Sequence, residues 1–158
     1  MSVMKISEVQ GYVISLIEAH PSFAAKSVKC IKDDGTYPKI PGLEKTLRDT
    51  GLALIVWRID SLGLIASDKT GLSNEWLHIA VVIQENEAVN RNQKPSVTGI
   101  LPEDALEYVK QAVQGKPKNT PPGTPIRPAE NPFSNLGKVN GVLTIVANFM
   151  KEYRTAPL

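Results

Sequence analysis

The sequence predicts an α/β chain of the α+β kind, with one mixed, mainly antiparallel sheet of about four strands, two main helices packed on one face, and long loops. Three observations carry that expectation. Residues 6–17 and 102–113 place apolar side chains at helical spacing. Two runs, LALIVWRI and WLHIAVVI, are too short and too β-branched for helices. Glycine and proline punctuate the stretches between them. With 158 residues and 42% hydrophobic content, the chain suits one domain spanning 1–158, able to bury roughly 70% of its unfolded surface.

The elements follow in chain order. Ile6, Val9, Val13, Leu16 and Ile17 form one helical stripe, Ser7 and Gln10 are spaced as a capping box, and His20-Pro21 ends the helix. Residues 23–32 alternate loosely, with Lys26, Lys29 and Lys32 blunting what reads as an edge strand. Asp33-Asp34-Gly35 makes a turn with an Asx-type hydrogen bond, Pro38 and Pro41 bracket an extended link, and residues 42–49 form one or two helical turns carrying Leu43 and Leu47. Residues 52–59 make an interior strand. A hairpin with a long tip, 61–74, leads to the next strand, in which Leu77, Ile79, Val81 and Ile83 face the helices. Pro102 opens the second long helix and Gly115 closes it, with Glu103 and Asp104 at its positive end. The six prolines between 116 and 140 predict a long loop without regular structure, extended until it docks on a partner, and 142–149 reads as the last strand before a short polar tail.

Composition excludes several function classes. The net charge of +2 includes no block of like charges, so neither sequence-specific nucleic-acid binding nor a membrane partner is expected. Cys30 is the sole cysteine, so no internal disulfide can form, and the absence of a secretory or spanning segment predicts a cytoplasmic site of synthesis. His20, His78 and Cys30 lack the spacing of a zinc site. Cys30 reads as a small buried hydrophobe and His78 as a histidine hydrogen-bonded on a sheet face. Asp33-Asp34 reads as a solvated turn rather than a cation site, and no phosphate-binding glycine loop is present. No catalytic, cofactor-binding or metal-binding residue is assigned, and the chain is not expected to be an enzyme.

The strand within EWLHIAVVIQENEAVNRN is apolar on both faces. Burying a Trp, Val or Leu side chain contributes roughly 1.5–3 kcal/mol, so each face calls for a cover. The two long helices cover one face. Residues 42–49 look too short to cover the other, which points to a neighbouring subunit there, with the long loops folding back over it as the alternative. Leu62, Leu64, Ile65 and Leu72 on the hairpin tip, Trp76 and His78 on the second sheet face, and Pro121, Pro122 and Phe133 in the proline-rich segment are the expected interface residues.

The order of elements resembles the tail terminator, or tail completion, proteins of long-tailed bacteriophages across nearly the whole chain. The stretches that carry it are VISLIEAH, PGLEKTLRDTG followed by GLALIVWRI, EWLHIAVVIQENEAVNRN, LPEDALEYVKQAV and VLTIVANF. The resemblance implies a ring, commonly a hexamer, at the head-proximal end of the virion tail. Such a ring stops tail polymerisation, meets the tail tube protein on one side and a head-completion or neck protein on the other, and leaves a channel for DNA. It also implies that the polar ENEAVNRN turns the chain at a rim of the ring. Other head–tail connector or neck proteins share this texture. The alternative from another class is a small ligand-binding or enzymatic domain using Cys30 with His78, or the Asp33-Asp34 turn.

Overall fold

The computed structural model describes residues 5–67, 73–92, 97–116 and 125–154. Its helices are α1 (Ile6–Glu18), α2 (Pro21–Ala24), α3 (Leu43–Asp49), α4 (Glu87–Asn90) and α5 (Pro102–Val113). Its strands are β1 (Cys30–Lys32), β2 (Leu52–Val56), β3 (Asp60–Ser67), β4 (Ser73–Asn86), β5 (Arg127–Val139) and β6 (Val142–Arg154). The strands form one mixed sheet in the order β1-β2-β4-β6-β5, with β3 pairing on the outer part of β4. The β1–β2 pair is parallel and the other pairs are antiparallel. Among the described residues no helix is long and apolar enough to cross a membrane.

The α+β class, the mixed and mainly antiparallel sheet, and two main helices on one face are as expected. Val9, Val13 and Ile17 of α1 join Ala105, Val109 and Val113 of α5 over Leu77, Ile79, Val81 and Ile83 of β4. The strand count is higher than about four because weak local signals are overridden by pairing. Gly63 and two serines make the 60–67 segment look like a loop, yet β4 is 14 residues long and β2 pairs only with its inner end, so β3 takes the rest. The 116–140 segment is also not one loop. From 127 onward it is β5, an edge strand, where proline is tolerated because the outer side needs no ladder donor. Its pairing breaks between Pro128 and Phe133, where residues 129–132 stand opposite the single residue Asn148.

Three smaller expectations are corrected. The predicted 23–32 strand begins instead as helical turn α2, with Pro21 at its start and Phe23 buried, and only Cys30–Lys32 pairs. Glu8 rather than Gln10 caps α1, accepting from the Lys5 N–H at 2.8 Å. Gln10 is buried and donates to the carbonyls of Asp33 (2.6 Å) and Val56 (2.8 Å), which sews the helix to the end of β2. Strand β6 runs through the expected polar tail to Arg154. It carries Lys151 to a buried position opposite Leu77, where burial pushes its ammonium below the usual lysine range.

The second sheet face has a cover of its own. Leu43 and Leu47 of α3, with Ile40, pack on Ala53 and Ile55 of β2, Ala80 and Val82 of β4, and Val146 of β6. A seven-residue helix suffices because two of the residues beneath it are alanines, which let it sit close to the sheet. The expectation that residues 42–49 are too short to cover this face is therefore corrected at Ala80 and Val82. Leu47→Ala should lower unfolding free energy by about 2–4 kcal/mol, read by urea denaturation at low protein concentration. A loss under about 1 kcal/mol would mean that α3 does not seal this face.

Candidate functional site

The residues a small enzyme would have used lie apart. Cys30 is aligned with Leu54, and Leu54 with Ile83, so His78 lies two strands away and five residues along, roughly 20 Å in sheet geometry. The two side chains also belong to opposite faces. Cys30 packs against the α1/α5 cluster, whereas His78 alternates with Leu77 and Ile79, which point into that cluster. Burial, and secondarily the nearby Glu18 carboxylate, push the Cys30 thiol up to about 12. It is a proton-bearing packing residue rather than a thiolate.

Both histidines serve structure. The His20 Nδ1 accepts from the Ser22 N–H at 3.1 Å, which leaves Nε2 to donate to Gln111 Oε1 at 2.8 Å, and the ring stacks on Tyr108 with centroids 5.0 Å apart. The contact ties α2 to α5. The His78 Nε2 meets Asn148 Oδ1 at 2.8 Å, and the Asn148 amide donates to the Asn131 carbonyl at 3.1 Å, so this pair holds the bulged part of β5 against the sheet. The Asx-type turn is as expected, but Asp33 is buried rather than solvated, because its Oδ1 accepts from two N–H groups, those of Gly35 (2.9 Å) and Tyr37 (3.0 Å). Asp34 Oδ1 accepts from the Thr36 hydroxyl and N–H, and these bonds lower its carboxyl from the usual value. Among the described residues no group of three or more His, Cys, Asp or Glu side chains could hold a metal ion.

The polar end of β4 holds a buried knot of hydrogen bonds. Gln84 donates to the Tyr37 hydroxyl (3.0 Å) and the Thr144 hydroxyl (3.1 Å). Glu85 has 0% exposure and accepts from the Asn90 amide (2.7 Å) and the Arg91 guanidinium (3.3 Å). Asn90 in turn accepts from the Thr98 hydroxyl (2.7 Å) and the Gly99 N–H (3.0 Å), and donates to the Ile100 carbonyl (2.8 Å). That network fixes the chain entering α5. Gly51 permits it, since a Cβ there would lie 2.4 Å from the Asn90 backbone nitrogen and its φ is +79°. Outside the knot, Glu87 bonds both Arg91 and Lys138. The Lys138 hydrogen bond is the main cause of its lowered carboxyl pKa, and the contact links the knot to the end of β5.

Among the described residues, what remains open is mainly apolar surface. The expected interface residues Trp76 and His78 lie on the second sheet face outside the α3 cluster, partly buried, opposite Glu152 and Met150 of β6. Phe133 is 43% exposed on β5. Leu136 and Val139, at 61% and 68% exposure on the same strand, were missed in the sequence because prolines and glycine hid the strand that carries them. Leu62, Leu64 and Ile65 belong to β3, whose side chains lie outside the described residues, as do Leu72, Pro121 and Pro122 altogether. No protein-family model matches the chain, and no curated protein matches it.

Gly51→Ala should destabilise the protein by more than about 2 kcal/mol, whereas Gly141→Ala, which meets nothing within 4 Å despite a φ of +78°, should cost about 1 kcal/mol. Chemical denaturation compares them, and equal losses would remove Asn90 as the reason for Gly51. A second expectation concerns pH. The unfolded thiol ionises near 9.0 and the folded one near 12, so above the lower value the unfolded chain binds fewer protons. Stability should fall as pH rises through that window. Cys30→Ala should remove this component of the slope, and an unchanged slope would show that the thiol is not shielded in the fold.

Proposed function

We propose that this chain is a structural virion assembly protein of the tail-terminator kind. In this reading copies of it form a ring on the head-proximal end of a phage tail, stop polymerisation of the tail tube and offer the surface to which the head is joined. Its partners are further copies of itself, the tube protein and a neck or head-completion protein.

The observation that carries this reading is the exposure of three large apolar side chains, Phe133, Leu136 and Val139, on β5. Edge strands of monomers are normally kept from association by charge, proline or bulges. Strand β5 carries such devices in Pro128, Pro132, Lys138 and two breaks in its pairing, yet its 133–139 end still exposes three large apolar side chains. A ring needs two different patches on each copy, since its contacts are heterologous. The second patch is the Trp76, His78 and Met150 end of the second sheet face, which α3 leaves uncovered. Chemistry offers little competition, because Cys30 and His78 stand on opposite faces and both histidines are engaged in packing contacts.

Light scattering on the purified protein, alone and with growing tail tubes, tests the proposal. The expected result is a ring-sized oligomer, or a monomer that assembles on tubes and arrests their growth. A strict monomer that leaves tubes growing would overturn it. The paired change Leu136→Glu with Val139→Glu should leave the melting temperature within a few degrees of the parent, because both side chains are already exposed, and should abolish assembly and tube capping. Retained rings in this variant would clear β5 of the role and return attention to Leu64 and Ile65 of β3.

A further inference from the structure

We draw no further inference here: the strongest candidate, the exposed apolar side chains Phe133, Leu136 and Val139 on the edge strand β5, belongs to the assembly surface already described, and nothing in the structure shows what other partner would cover it.

Discussion

The fold depends on the need to cover β4 on both faces and along both edges. Strand β4 pairs with β3 and β2 along most of one edge and with β6 along the other, from Asn74↔Arg154 to Asn86↔Val142. Leu77, Ile79, Val81 and Ile83 bind it to α1 and α5, while Ala80 and Val82 bind it to α3. Each large side chain so buried contributes roughly 1.5–3 kcal/mol, far more than any surface ion pair in the molecule. The small side chains on the second face are what allow so short a helix as α3 to serve as its cover.

The polar end of β4 shows the same constraint in another form. A carboxylate with no solvent contact is tolerated only with bonded partners, and Glu85 has Asn90 and Arg91. Asn90 then uses its remaining bonding capacity on Thr98, Gly99 and Ile100, so one buried side chain fixes the approach to α5. Gly51 is the steric counterpart, leaving the space that the Asn90 backbone occupies. The route from Lys138 through Glu87 and Arg91 to Glu85 connects this knot to the β5–β6 hairpin. The proposed assembly surface is therefore tied to the core by salt links as well as by the sheet.

Much of this was legible in the sequence, for physical reasons. The α1 and α5 stripes repeat over three turns, β2 and β4 are dense in branched side chains, and Leu43 with Leu47 marks α3. Such local signals survive into the fold because burial acts on the same residues. Strands β3 and β5 were hidden because Gly63, Pro128, Pro132 and Gly137 speak for turns, and only pairing with the long strands β4 and β6 overrides them. The knot was hidden for a different reason. Glu85 and Asn90 look like surface residues until Thr98 and the 99–100 backbone are brought beside them. On the candidate surface, the sequence pointed to Trp76, His78 and Phe133, and it missed Leu136 and Val139 along with the strand that bears them.

The assembly reading rests on the contrast between clusters that the chain's own helices cover and an edge strand that leaves Phe133, Leu136 and Val139 exposed. Amide hydrogen exchange along β5, measured on the dilute chain and on the assembled form, tests that contrast most directly. Slowed exchange or loss of solvent access across Arg127–Val139 on assembly, with the β4 amides equally protected in both states, is the result this account predicts. A closed oligomer whose β5 exchanges as freely as in the dilute chain would contradict it.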